Sequence, residues 1–222
     1  TGKGHKGFDV DPDPKLSYKE AASRRDFTIN SMGINILTSE LSDPFDGQKD
    51  LDNKLLRHIG PAFKEDPLRV LRALQFAARF DLAIHSETMK ICRECDLNEL
   101  PKERIFDELK KLFLKAEKPS IGFSYMQDLG VLKIFPELEK LIGTVQDPKW
   151  HPEGDVWTHN LMVIDEMAKL IDRNDEKKSL VLMLAAVCHD FGKPSTTEFI
   201  EGRWRSRGHE REGVQPTKEF LN

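Results

Sequence analysis

The sequence has little cysteine, little tyrosine and no long apolar run. Three cysteines, Cys92, Cys95 and Cys188, are an odd count, which argues against a disulfide framework and suits a reducing compartment. No stretch approaches the roughly 18 apolar residues of a membrane helix, so the chain reads as cytoplasmic, without a membrane partner. The opening Thr1-Gly2-Lys3-Gly4-His5 has neither an initiator Met nor an apolar signal core. It reads like a chain picked up partway along. Cys92 and Cys95 have the spacing of half a zinc site, but there is no second pair to complete it, so two buried thiols are expected.

What is present is charge. Charged residues make up 32% of the 222 and hydrophobic residues 38%, which fits one large domain or two small ones with a charged surface. The net charge of -4 does not advertise a polyanion binder. The local balance does: between Asn53 and Phe80 six basic residues face two acidic ones, a net +4 on an acidic body, which can hold phosphates.

Along the chain, residues 1–18 are rich in Gly, Pro and Asp and read as loop, with one short strand near Phe8–Val10. Ser17, with Glu20 three residues later, is a capping box, so a short helix follows. "TINSMGINIL" (28–37) alternates and is β-branched, which predicts a strand; "KLLRHI" (54–59) predicts another. After Pro61 the period becomes helical, in "DPLRVLRALQFAARF", "SETMKICRECD", "PKERIFDELKKLFLKA" and "PSIGFSYMQDLGVLKIF". A boundary falls at 143–155, dense in Gly, Pro, Asp and Trp. Two helices and a polar, arginine-rich tail come after it.

The stretch "KEDPLRVLRALQF" (64–76) carries chemistry. Asp66 before Pro67 is an N-cap followed by a good first helical position. At 100° per residue, Arg69, Arg72 and Arg79 fall within an arc of roughly 80°, while Leu68, Leu71, Leu74 and Ala78 take another face. An Asp and an Arg one turn apart offer an acceptor and a bidentate donor, the groups that match a base edge, and further arginines suit a triphosphate. The same spacing also describes a capped surface helix with ordinary i,i+3 pairs. "SRRDFTIN" (23–30) is equally open: its arginines, Asp26 and Asn30 suit either ribose and phosphate or one another.

Together, "RRDFTIN", "DPFDGQKDL", "LLRHI", "EDPLRVLRA" and "LPKERIFDELKKLF", in that order, resemble the class II tRNA nucleotidyltransferases, the CCA-adding enzymes and their poly(A) polymerase relatives. The resemblance implies an α+β, mostly α chain. Residues 1–62 would be the remaining strands of a nucleotidyltransferase head, 63–145 a helical neck and body, and 150–222 a truncated helical domain of the HD type. It implies addition of C and A to tRNA 3′ ends from CTP and ATP, with Mg²⁺. In such enzymes the Asp and Arg of the E-D-x-x-R motif, here Asp66 and Arg69, pair with the incoming base. Arg72 would approach the triphosphate, and Arg24, Asp26 and Asn30 would bind sugar and phosphate. Gln75 stands where some members carry another arginine. Residues 101–113 match the neck motif. The family's Gly-Gly-x-x-R-D loop is missing, and Asp9-Val10-Asp11 reads as strand end and turn rather than as its metal-binding Asp-x-Asp. No catalytic residue is therefore assigned, and the expectation is a chain that cannot add nucleotides alone.

In the last third, His159 lies on one predicted helix and His189-Asp190 ends another, before a Gly-Lys-Pro break. Imidazole and carboxylate suit divalent metals. "KWHPEGDVWTH", "CHDFGKP" and "GHEREG" resemble the HD phosphohydrolase module that some CCA-adding enzymes carry. That implies a metal site of His159, His189 and Asp190, with His209 as a further ligand and Mg²⁺, Ni²⁺ or Mn²⁺ as the ion. It also implies metal-assisted hydrolysis of cyclic phosphates or phosphomonoesters. The pattern's closing Asp would lie beyond Asn222. Two other readings remain open: a metal phosphohydrolase whose upstream region only holds RNA, and a tRNA-binding relative without chemistry.

Overall fold

The computed structural model describes residues 15–222. The strand expected near Phe8–Val10, with Asp9 and Asp11, lies outside the described residues. The chain divides into two compact units, the first ending at Leu109 and the second beginning at Lys110. It is mostly helical with a few short strands, in keeping with the α+β expectation.

In the first unit, α1 (Tyr18–Ala22) starts at the capping box: Glu20 N–H donates to Ser17 Oγ, and Ser17 N–H donates to the Glu20 carboxylate at 2.9 Å. The strand expected over 28–37 is largely not formed. Thr28–Asn30 is a 3-10 turn, and only Gly33–Ile34 (β1) pairs, antiparallel, with Leu41–Ser42 (β2). Local side chains explain the difference. Thr28 Oγ1 donates to buried Asp50 and Ser31 Oγ donates to the Thr28 carbonyl, offering the backbone an alternative to a ladder. Asp43 then accepts from the N–H groups of Gly47 and Gln48 and starts α2 (Gly47–Asp52).

The expected strand at 54–59 is present as β3 (Leu55–Leu56). It leads through a 3-10 turn into α3 (Leu68–Phe80) and on to β4 (Ala83–Ile84), which pairs with β3 in parallel. This is a β-α-β crossover, and its helix is the arginine helix. Asp66 caps it: its side chain accepts from Leu68 N–H and its carbonyl from Arg69 N–H. More of α3 is buried than the two-face pattern suggests. Val70, Ala73, Gln75 and Ala77 join Leu68, Leu71, Leu74 and Ala78 in the interior. Arg69, Arg72, Phe76 and Arg79 remain as a partly open strip. Phe27, Leu56, Phe63 and Leu74, each at most 1% exposed, form the centre of this unit. The helices α4 (Ser86–Arg93) and α5 (Lys102–Lys115) follow, and the second unit begins within α5.

In the second unit, α6 (Ser120–Asp128) and the short α7 (Pro136–Glu139) precede α8 (Val156–Leu170) and α9 (Glu176–Cys188). The last two form a helical hairpin with Ile164, Met183 and Val187 fully buried. Asp155 caps α8 by accepting from Thr158 N–H, and Asn160 Nδ2 donates to the Val187 carbonyl across the pair. The polar, arginine-rich tail forms regular elements. Beyond α10 (Lys193–Thr196), β5 (Thr197–Ile200) and β6 (Arg203–Ser206) make an antiparallel hairpin, followed by α11 (His209–Glu212) and α12 (Val214–Leu221). Glu201 and Gly202 both have positive φ, 51° and 81°, which fits the two-residue turn that matches strand twist.

Candidate nucleotide pocket and histidine cluster

The N-terminus of α3 opens onto a cavity of about 500 Å³. Arg25, Arg69, Arg72 and Arg104 line it against only two carboxylates, Asp26 and Asp66. Both carboxylates are already engaged. Asp66 holds Arg104 through Nη1 at 3.2 Å and Nη2 at 2.9 Å, a bidentate pair that is about four-fifths buried on each side. Asp26, 7% exposed, accepts from Arg72 Nε at 2.6 Å, from Asn30 Nδ2 and from Phe27 N–H, each of these last two at 2.9 Å. Arg25 and Arg69 therefore leave the cavity a positive surplus, suited to a polyanion.

Arg69 is fixed from behind. Its Nη1 donates to the Ala62 carbonyl and its Nη2 to the Arg24 carbonyl, both at 2.7 Å. Arg72 lies 5.5 Å over the Phe76 ring, which also lines the cavity. A fixed guanidinium, a carboxylate and an aromatic face are groups that can hold a planar, hydrogen-bonding ring.

The expected residues divide accordingly. Asp26, Asn30, Asp66, Arg69 and Arg72 all line the cavity; Arg24 does not and contributes its carbonyl to Arg69, while Arg25 takes a place on the wall. Arg79 is also elsewhere: it lies 4.9 Å over Phe80 and donates to Gln75, and burial lowers its pKa. A further Asp-x-Asp, Asp50-Leu51-Asp52, sits on α2. It is structurally committed, since Asp50 is buried against Thr28 and Arg57 and Asp52 accepts from Gln48.

The second unit gathers His159, His189 and His209 around Asp190. Their Nε2 atoms stand 3.9, 3.1 and 3.6 Å from its carboxylate oxygens. The other ring nitrogens fix the tautomers. Nδ1 of His159 faces Glu153 at 2.7 Å, that of His189 the Ala186 carbonyl at 2.8 Å, and that of His209 the Ser206 carbonyl at 2.7 Å. Carbonyls and an ionised carboxylate only accept, so each Nδ1 carries the proton and each Nε2 turns toward Asp190. Imidazoles oriented this way by outer partners have the form of metal-binding donors, though His209 stands outside the group whose ligand atoms converge most closely. His159, His189 and Asp190 present ligand atoms within 4.8 Å of one another, as do His151, Glu153 and His159.

The electrostatics are consistent with that chemistry. Burial lowers the His159 pKa and the Glu153 hydrogen bond only partly opposes it, favouring the neutral, ligating ring. Burial also disfavours a charged His189, but Asp190 outweighs it and raises that pKa. Burial pushes Asp190 up, yet His189 and Lys193 bring it to about 2. Glu153 is likewise held at about 2, chiefly by His151. Lys193 Nζ, 2.7 Å from Asp190 and from Gln146 Oε1, is the cation of this cluster.

Sequence reasoning missed Arg104, Arg25 and Phe76 in the first site, and Lys193, His151 and Glu153 in the second. Arg104 lay within the recognised "PKERIF", and the helical period alone could have placed it one turn into α5. His151 and Glu153 lay within the quoted "KWHPEGDVWTH". The contacts of Arg69 with the Ala62 and Arg24 carbonyls have no sequence signal.

Residues 5–57 match the poly A polymerase head domain, and residues 81–142 match the probable RNA- and SrmB-binding site of polymerase A. The "Multifunctional CCA protein" of Stenotrophomonas maltophilia (strain K279a) is 41% identical over 227 residues, covering 98% of this chain and 54% of that protein. The chain thus spans about half the length of the curated relatives it matches. A solved tRNA nucleotidyltransferase complexed with a primer tRNA and an incoming ATP analog is 30% identical. It aligns with a TM-score of 0.50 over 79% of this chain and 56% of its own. A tRNA-processing enzyme with CTP aligns equally well, at 30% identity and TM-score 0.50, over 77% of this chain and 52% of its own.

Proposed function

Because the chain belongs to the class II tRNA nucleotidyltransferase and poly(A) polymerase family, we propose that it is the nucleotide-reading and RNA-holding part of an enzyme that adds C and A to tRNA 3′ ends from CTP and ATP. The observation that carries this reading is the arginine-walled cavity at the start of α3, with both carboxylates paired and Arg25 and Arg69 in surplus. In this reading Asp66 and Arg69 meet the base edge and Arg72 the triphosphate. Asn30, with Arg25 rather than the side chain of Arg24, meets the sugar and phosphate. Asp26 holds Arg72 in place.

Nucleotidyl transfer in this family depends on a divalent metal; Mg²⁺ is the ion proposed here. The two carboxylates of this cavity, Asp26 and Asp66, are paired with Arg72 and Arg104, so in this reading its residues bind and orient the nucleotide. No helix among the described residues is long and apolar enough to cross a membrane, and we assign the protein to the cytoplasm.

For the second unit the reading is an HD-type phosphohydrolase. The converging Nε2 atoms of His159, His189 and His209 with Asp190 support it. These four residues would hold Mg²⁺, Ni²⁺ or Mn²⁺, and the ion would supply Lewis-acid activation of a phosphoryl group. Lys193 and the histidines would bind the phosphate charge.

The test is incubation of the full-length protein with tRNA trimmed at its 3′ end and each NTP separately. Incorporation of CMP and then AMP, and not of GMP or UMP, is expected. Equal use of all four nucleotides would contradict a base-reading pocket. Metal analysis of the same protein, beside His189→Ala, tests the second unit: at least one equivalent of divalent ion should be lost.

A further inference from the structure

A second cavity, of about 260 Å³, opens onto the histidine cluster, and its wall contains two tryptophans, Trp150 and Trp204, beside His151, Lys193 and His209. The indoles are 67% and 37% exposed, whereas the chain's third, Trp157, is buried and donates to Gln127. Aromatic side chains with a few polar groups beside them are the usual lining of a ligand pocket. Their placement is coupled to the cluster. Trp150 and His151 share one turn, in which both N–H groups donate to the Asp147 carbonyl and the Asp147 side chain accepts from Lys149 N–H. Trp204 lies on β6, which leads through Ser206 to His209, whose Nδ1 is fixed by the Ser206 carbonyl. Each indole is thus carried by the segment that also carries a histidine of the cluster. Gln146 and Ser206 supply hydrogen-bonding groups between them.

We propose that Trp150 and Trp204 form a stacking platform for the aromatic base of a nucleotide whose phosphate rests on His151, Lys193 and His209. The second unit then selects nucleotides or RNA ends over other phosphate esters. This rests on the phosphohydrolase reading for what happens to the phosphate, but not for the binding itself. Stacking suits this site because it accepts any base by its π-face, and Lys193 and the imidazoles beside it fix only the phosphate end.

Tryptophan fluorescence tests it, because all three tryptophans of the chain lie between 150 and 204 and none is in the arginine cavity. Adenosine 3′-monophosphate is titrated into wild-type, Trp150→Ala, Trp204→Ala and Trp204→Phe protein, and inorganic phosphate is measured by competition. Wild-type protein should bind the nucleotide roughly ten-fold more tightly than phosphate. Trp150→Ala should remove most of that advantage and Trp204→Phe should keep it, with phosphate affinity unchanged. Equal wild-type affinities, or an advantage undiminished in both Ala variants, overturn the platform. Trp204 packs on Phe199 at 5.2 Å, so its Ala variant can loosen the hairpin; Trp150 keeps the test decisive.

A short RNA ending in a 3′-phosphate separates the two sources: tighter binding than the mononucleotide marks an RNA end, and equal or weaker binding a free nucleotide. In turnover, KM for a nucleoside cyclic phosphate should rise in Trp150→Ala with kcat held, and KM for glycerol phosphate should not move. A wild-type protein that hydrolyses neither loses the phosphohydrolase reading, and the fluorescence result then decides the platform by itself.

Discussion

The Asp66 carboxylate is gripped at both oxygens by the Arg104 guanidinium, at 3.2 and 2.9 Å, where the start of α3 meets the first turn of α5. Asp66 also caps α3. One carboxylate therefore starts the arginine helix and ties it to α5, and any base edge that uses Asp66 as an acceptor shares it with Arg104.

The first prediction follows from that sharing. Arg104→Gln releases one side of Asp66, and the CTP-to-ATP incorporation ratio of the full-length protein should shift several-fold. Unfolding in urea should show a loss of about 1–2 kcal/mol, as for a part-buried charged hydrogen bond. Arg104→Lys keeps the charge but not the fork, and should restore stability better than selectivity. An unchanged ratio in both variants would leave Arg104 as a strut alone.

A second prediction separates a bracket from a ligand. Asp26 is 7% exposed and accepts from three donors, among them Arg72 Nε at 2.6 Å. Asp26→Ala leaves the part-buried Arg72 guanidinium with only the more distant Glu108, at 3.9 Å, and should cost about 2–3 kcal/mol in equilibrium unfolding. Asn30→Ala, which removes one donor, should cost less than about 1.5 kcal/mol. If Asp26→Ala folds as stably as wild type and loses only nucleotide affinity, Asp26 is a direct ligand.

What the sequence made legible was what lies along single elements. The capping box at Ser17, the Asp66 cap and the helical period of α3 to α9 follow from local spacing, while the residues of the histidine cluster came through the resemblance carried by "KWHPEGDVWTH", "CHDFGKP" and "GHEREG". The strand over 28–37 failed because Thr28 and Ser31 spend their hydroxyls on Asp50 and on local backbone, a choice that depends on Asp50 being buried 22 residues away. The tail after Asp190 read as polar because its hairpin is open to solvent on several sides, and its two-residue turn relies on a non-glycine, Glu201, at φ 51°. Arg104 and Lys193 stand inside the recognised stretches "PKERIF" and "CHDFGKP", but their place in the sites is set by a partner carboxylate, Asp66 and Asp190.

Backbone crowding gives the third prediction. A Cβ on Gly192 would lie 2.0 Å from the His209 carbonyl oxygen and 2.5 Å from Gly213 N. Gly192→Ala must therefore push α11 away, and His209 with it, from Asp190. Metal affinity of the full-length protein should fall about ten-fold or more, the range for disturbing groups that orient a site. Retention of wild-type metal affinity would remove His209 from the cluster's working set.

The fourth concerns acid sensitivity of the first unit. Thr88 Oγ1 accepts from the His58 backbone N–H at 3.0 Å and stands 2.9 Å from His58 Nδ1, so the ring is held against buried Thr88. Burial lowers the His58 pKa; His85 and Arg57 add to this and Glu87 opposes it. A base with a depressed folded pKa contributes stability that is present above its unfolded pKa, about 6.5, and lost as pH falls below it toward the folded value. His58→Asn, which removes the titrating ring but keeps a polar group beside Thr88, should flatten the fall in Tm between pH 7 and 5 relative to wild type. Parallel curves for the two proteins would show that His58 carries none of it.

The most direct measurement of the central claim is nucleotide choice by Asp66→Ala and Arg69→Ala in the full-length protein, with trimmed tRNA and competing CTP, ATP, GTP and UTP. Both variants should fold and still bind tRNA, while discrimination against GTP and UTP falls about ten-fold or more, the worth of one good bidentate base contact. If both variants select CTP and ATP as wild type does, the cavity at the start of α3 does not read the base.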